Sequence, residues 1–434
     1  MAAPVNEMLA PHNSPAKAGE PVLLQRELSG TPWRIEPPKR RVPATFLLDD
    51  PCPGWNPYYF HGEFNPRDAS HIPNAFLERF AAVIERTGIL GKFSVIPYPF
   101  GLGPVSGHVE GVSDHELAAW VMTVRERVAP YMDLSPELVT HWNALDITTE
   151  TLSPFWEPVW VRGQSRQTLA QYIRYGLNIL DDAGLPANGV TSSWSTGSTN
   201  EDLYAAAVGD ALRTMRDPTV AWYFLHPDTV SRYVPPRLVS NDSGAAVVSI
   251  VCCADDFAWG PLRGGPTKTD AMISPDGADG RLVEACDPRG ILGIVSHWQT
   301  LYGNGSEAGL KALETIAQRV KQRLGDRVQW MRCSAIAQYA AATTRITANP
   351  RDAGRTTFAA DIACPAFTIS RPHEARTAPT SVKIRRTGEA RPLRRVEGSQ
   401  TLAPDSWTVR GGRLSVCWDV RRDDALVLEV LAGR

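Results

Sequence analysis

From Ala44 to about Ala342 the chain repeatedly sets a short run of β-branched and aromatic residues before a longer stretch with apolar residues at helical spacing. This alternation is the pattern of parallel strands joined by helices. The strand candidates are residues 44 to 50, 92 to 98, about 138 to 146, 190 to 194, 245 to 253, 291 to 297 and 328 to 332. Between them, Phe76, Leu77, Phe80 and Ile84 share one helix face with Gly88 placed to end it, and Ser113 to Glu116 reads as a capping box before Leu117, Trp120, Val121 and Val124. Leu169, Ile173, Leu177 and Leu180 before Gly184 repeat the design, as do Leu310, Leu313, Ala317, Val320 and Leu324 before Gly325. Seven such strands fit an α/β fold of the (β/α)7 barrel type.

A barrel of this kind takes about 250 residues, so a chain of 434 has room for an appendage. Residues 1 to 40 hold seven prolines and little periodicity, and are expected to form an extended arm lying against the body or partly disordered. The barrel is expected over 41 to 343. After about Thr344 helical periodicity stops, and short alternating segments (356 to 362, 380 to 386, 406 to 410, 414 to 419, 425 to 431) predict a small β-sandwich over 344 to 434. With 45 basic against 47 acidic residues and no aromatic-spaced basic run, nucleic acid is not an expected partner. The longest apolar run, Gly244 to Ala254, is about half of a membrane span and reads as a buried strand. Residues 1 to 15 lack a basic stretch and an apolar core of signal-peptide length, so a cytoplasmic location is expected. Seven cysteines without Cys-x-x-Cys spacing argue against a disulfide framework and a thiolate zinc site.

Catalytic groups of a parallel barrel sit at the C-terminal ends of its strands. The first candidate strand stops on Asp49 and Asp50. Two adjacent acids repel each other and lose hydration on burial, so a strand end tolerates them only where water, a cation or a proton balances them, and they suggest one metal ligand and one base; the rival reading is turn chemistry, Asp-Asp-Pro-Cys-Pro-Gly. The third candidate carries His141 and Asp146, the fourth runs into Ser193 and Trp194, the fifth into Asp255 and Asp256, and the sixth into His297, Trp298 and Gln299. His141 reads either as a ligand or as a residue within a helix begun at Ser135-Pro136-Glu137.

The order of these residues resembles the polysaccharide deacetylase family over roughly residues 42 to 342. Its Thr-Phe-Asp-Asp-Gly motif is similar to Thr45-Phe46-Leu47-Leu48-Asp49-Asp50-Pro51, its His-(Ser/Thr)-x-x-His motif to His141-Trp142-Asn143-Ala144-Leu145, and its Leu-x-His motif to Val295-Ser296-His297. Leu145 stands where the second His should be, and the family's Arg-x-Pro-Tyr-Gly strand is replaced by Thr191 to Gly197, without its arginine. The resemblance implies Asp49 as general base, Asp50 and His141 as ligands of a divalent metal, and His297 as the acid that protonates the leaving amine. Asp146 is the candidate to replace the missing His, completing a set suited to zinc, or to a harder ion such as manganese.

The resemblance thus implies hydrolysis of an N-acyl group on an amino sugar, with Trp142, Trp194, Asp256, Trp298 and Gln299 contacting a carbohydrate. Two rivals stay open. One is a metal-independent glycoside hydrolase or lyase using separated carboxylates such as Asp50 and Asp256. The other is a carbohydrate-binding relative without catalysis.

Overall fold

The computed structural model describes residues 18–60, 70–216, 219–242, 245–352, 354–373, 379–386, 389–397 and 402–432. Within residues 42–297, seven of the described strands run parallel: β1 (Val42–Asp49), β2 (Gly91–Val95), β3 (Met132–Pro136), β4 (Val190–Thr191), β5 (Val220–Pro227), β6 (Ala245–Cys252) and β7 (Leu292–His297). β7, β1, β2 and β3 are neighbours in one sheet, with Val328–Trp330 paired to the start of β1. β4, β5 and β6 are neighbours in a second, where Arg237–Asp242 lies antiparallel on β6. Two isolated parallel bridges connect the sheets, Glu137 with Thr191 just beyond β3 and Ala254 with Ile294 just beyond β6. All seven C-terminal ends therefore point the same way.

Strand side chains alternate between two cores. Phe46 and Leu48 of β1, Tyr223 of β5 and Ile294 of β7 join the helices Asn74–Thr87, Asp114–Thr123, Arg166–Asp182, Glu201–Arg216 and Ala308–Arg319. Leu47, Trp222, Phe224, Ile250 and Val295 face the other way, onto the helix Cys333–Arg345. The helix ends follow the sequence: Gly88 adopts φ 70° and donates to Ile84, and the Ser113 hydroxyl accepts the Glu116 N–H. At Gly91 a Cβ would lie 1.8 Å from the Phe46 carbonyl oxygen, so the contact of β1 with β2 requires glycine there.

Three strand expectations are corrected. The third strand is 132–136, not 138–146, because Asp133 and Ser135, which disguise it as polar, are buried and hydrogen-bonded to Asn188 and Thr191. β5 was not anticipated: its unbroken run Val-Ala-Trp-Tyr-Phe-Leu is buried on both faces and lacks the alternation that marks a strand. The segment 328–332 supplies only a three-residue strand beside β1.

Among the described residues, two further sheets of five and six strands, drawn mostly from the chain after the helix Cys333–Arg345, contribute Phe358, Ile384 and Leu428, and Phe367, Val416 and Trp418, to one core shared with that helix. Arg26–Glu27 and Arg34–Glu36 are strands of the six-stranded sheet. The expected arm is thus partly sheet; its residues 1 to 17 lie outside the described residues. All seven cysteines are free and buried, and no helix among the described residues is long and apolar enough to cross a membrane.

Candidate active site

Strand alternation turns Asp49 to the Leu47 side of β1, away from the helices that Phe46 and Leu48 face. Its Oδ1 is ion-paired with Lys92, which is fully buried on β2 and also donates to Ser94 Oγ at 2.5 Å, with the Phe224 ring 5.0 Å away. Asp49 Oδ2 is buried with no hydrogen-bond partner among the described residues. One oxygen is therefore held by a cation and the other is left with an unused lone pair.

Asp50 follows in the left-handed region (φ 72°), where the chain leaves β1. Its Oδ1 is 3.0 Å from His141 Nε2, its Oδ2 accepts from Gln299 Nε2 at 2.6 Å, and its backbone N–H donates to Glu137 Oε2 at 2.7 Å. Glu137 Oε1 is 3.5 Å from the same His141 nitrogen. One donor atom from each of Asp50, Glu137 and His141 falls within 4.8 Å of the others, and all three residues are buried.

The electrostatics are those of a site with one negative charge too many. Burial opposes the Asp50 carboxylate, but His141 beside it, then His297 and Gln299, hold its pKa well below the usual range. Burial and the charges of Asp50 and Asp49 push Glu137 well above its ordinary value, against the smaller pull of Lys92. Burial and its acidic neighbours thus favour the protonated form of Glu137, and a cation placed there would favour the ionised one. Two carboxylates and one imidazole are a donor set that fits a divalent ion such as zinc or manganese.

On β7, whose register pairs His297 with Asp49, His297 Nδ1 is 2.8 Å from Asp256 Oδ2. Asp256 also accepts the His297 and Ala258 N–H groups and the hydroxyls of Ser296 and Thr300. Burial works against a charged His297, yet the Asp256 hydrogen bond and the charges of Asp50, Asp256 and Asp49 outweigh it and push its pKa up to about 10. At neutral pH this imidazole is protonated.

Half-buried aromatic rings flank both histidines. Trp194 has its centroid 4.2 Å from the His141 ring and stacks on Trp156 at 5.6 Å; Trp142 is 5.7 Å from Trp156. Trp259 lies 5.1 Å from the His297 ring, with Tyr58 beyond it at 6.4 Å.

The structure thus brings together Asp49, Asp50, His141, Asp256, His297 and Gln299. It sets two expected site residues apart. Asp146 is exposed in the hairpin 143–156, where its carboxylate accepts the Thr148 and Thr149 N–H groups; it is a turn former and does not stand with Asp50 and His141. Trp298 is buried among Phe76, Phe80 and Phe93, on the helix side of β7, so it is core and not a sugar platform. Gln299 and Asp256 act on neighbouring side chains, Asp50 and His297. Sequence reasoning missed Glu137, taken for a helix start, and Lys92, which had only an isolated charge inside an apolar strand to signal it.

No family model matches the chain, and no curated protein does. Among solved structures it is similar to a glycoside hydrolase/deacetylase, itself assigned only by inference, from Parabacteroides distasonis (9% identity, 86% of this chain and 91% of that one, TM-score 0.40). A glycoside hydrolase family 30 xylanase from Clostridium acetobutylicum matches at 11% identity over 91% and 98% of the two chains, TM-score 0.28. A family 29 fucosidase from Ruminococcus gnavus matches at 10% identity over 98% of each, TM-score 0.33. Overlaps this loose decide neither fold nor chemistry, and the site is read from its own geometry.

Proposed function

We propose that this protein is a metal-dependent hydrolase that acts on a carbohydrate and removes an N-acyl group from an amino sugar. The observation that carries the reading is the buried Asp50–Glu137–His141 cluster placed beside a protonated His297. The two parallel sheets and their bridges are read as one (β/α)7-type barrel over 41 to 343, followed by a β-sandwich accessory domain over 344 to 434.

Asp50, Glu137 and His141 would hold the ion, which when bound supplies a Lewis acid for the acyl carbonyl and makes water acidic enough to attack near neutral pH. Asp49 Oδ2 is the base that takes the proton of the attacking water, while Lys92 holds Oδ1 in place. His297 delivers a proton to the departing nitrogen, and Asp256 holds its ring through Nδ1. Gln299 orients Asp50. Trp156, Trp142 and Trp259 offer apolar ring surface suited to sugar faces.

The metal-independent alternative asks Asp256 to act as a free carboxyl group. Its five hydrogen-bond donors speak against that role.

The test measures metal content by mass spectrometry in the wild type and His141→Ala, alongside acetate release from N-acetylated glucosamine oligomers. About one zinc or manganese per chain, lost with the acetate release in the variant, is expected. A wild type that takes up no metal on reloading would sink the reading.

A further inference from the structure

His141 sits in a loop that its own backbone does not favour. Leu138 (φ 48°) and His141 (φ 52°) both lie in the left-handed region, which L side chains rarely adopt. Such a loop keeps its shape only if surrounding groups determine it, and here they converge on Glu157, a fully buried residue just after Trp156.

Glu157 Oε1 accepts the N–H groups of Val139 at 3.0 Å and Thr140 at 2.9 Å and the Tyr172 hydroxyl at 2.7 Å. Its Oε2 accepts the N–H of His141 itself at 3.1 Å and the Ser193 hydroxyl at 3.0 Å. Three consecutive backbone donors thus close on one carboxylate. The same group ties down Ser193, whose neighbour Trp194 (φ 47°) lies against the His141 ring. His141 Nδ1 has no partner among the described residues, so no side-chain hydrogen bond at that nitrogen orients the imidazole. Apart from Asp50 and Glu137, which meet Nε2, its orientation comes from the backbone beneath it and from the Trp194 ring, and both are anchored on Glu157.

We infer that Glu157 is a positioning residue that aims His141 Nε2 at Asp50 and Glu137 and so sets the affinity of this cluster for its cation; the inference rests on the metal reading above. The carboxylate is required because every group around it is a donor. A glutamine of the same shape would press an NH2 against one or two backbone N–H groups, which can only donate, whereas the two hydroxyls could turn to accept it.

The experiment compares wild type with Glu157→Gln, and with Ser193→Ala and Tyr172→Phe, each of which removes one donor. Zinc affinity is measured by calorimetry and ligand geometry by the visible spectrum of the cobalt-loaded protein. A 10- to 100-fold weaker zinc affinity in E157Q, the loss seen when groups that orient a ligand are removed, is expected with an altered cobalt spectrum and a smaller change in S193A. Unchanged affinity and spectrum in E157Q overturn the proposal; if that variant does not fold, unchanged values in both milder variants do so. If the wild type binds no metal, the metal reading fails separately. Amide exchange of Val139, Thr140 and His141 then decides: faster exchange in E157Q supports the positioning role, and wild-type exchange overturns it.

Discussion

Lys92 and Asp49 form an ion pair between β1 and β2 in which the two side chains keep 0% and 1% of their surfaces exposed. Neither charge has water to fall back on, so each depends on the other. Removing one partner of a buried pair typically costs about 3–5 kcal/mol because the other is left uncompensated. Lys92→Met is expected to lose stability of that order in urea denaturation, and the double variant Lys92→Met/Asp49→Asn to recover much of it. A loss under about 1 kcal/mol in the single variant would contradict the pairing.

The His297–Asp256 pair predicts an unusual pH profile. His297 is raised from its ordinary 6.5 to about 10 in the folded protein. Its protonated form therefore contributes stability that is fully present below about 6.5 and is lost as pH rises through about 10. If His297 is the acid, kcat should fall on the alkaline side above the ordinary imidazole pKa, at a lower pH than His297 titrates in the metal-free protein because a bound cation offsets the charge of Asp50. Asp256→Asn removes the largest favourable cause, so the alkaline limb should move to lower pH. An alkaline limb that stays in place in this variant would exclude His297 as the titrating acid.

Glu137 and Asp146 compete for one role, and mutation separates them. Glu137→Ala is expected to abolish metal uptake, as Asp50→Ala and His141→Ala should. Asp146→Ala should retain the metal, because its carboxylate serves a surface turn. Mass spectrometry of the four purified variants checks this, and loss of metal in Asp146→Ala alone would reverse the assignment.

Two tryptophans should behave oppositely. Trp298→Ala empties a site packed by Phe76, Phe80 and Phe93 and should cost about 3–5 kcal/mol of stability. Trp156 is half-buried, so Trp156→Ala should change stability by less than about 1 kcal/mol while raising KM for an oligosaccharide severalfold. Thermal melts and steady-state kinetics on both variants read the contrast. An unaltered KM in Trp156→Ala would remove this ring from the substrate site.

Much of the scaffold is written locally. The stripe Phe76, Leu77, Phe80 and Ile84 with its Gly88 stop, the Ser113 cap and the acidic end of β1 can all be read from neighbours a few residues apart, because helical periodicity and capping are short-range properties. The same local reading misplaced the third strand and passed over β5, where buried polar residues or an unbroken apolar run erase the period of two.

The sequence by itself marked Asp49, Asp50 and His297 as acids or an imidazole where apolar runs stop, and His141 as a histidine inside a candidate strand that the structure places earlier, at Met132–Pro136. Only the tertiary structure decided who stands beside whom. Asp50 meets Glu137 across 87 residues and Gln299 across 249, Lys92 reaches Asp49 from the next strand, and Asp146, close to His141 along the chain, faces solvent. The physical reason is that parallel strands bring their ends together whatever the length of chain between them, whereas one residue of register or one turn of a hairpin sends a near neighbour to the opposite side.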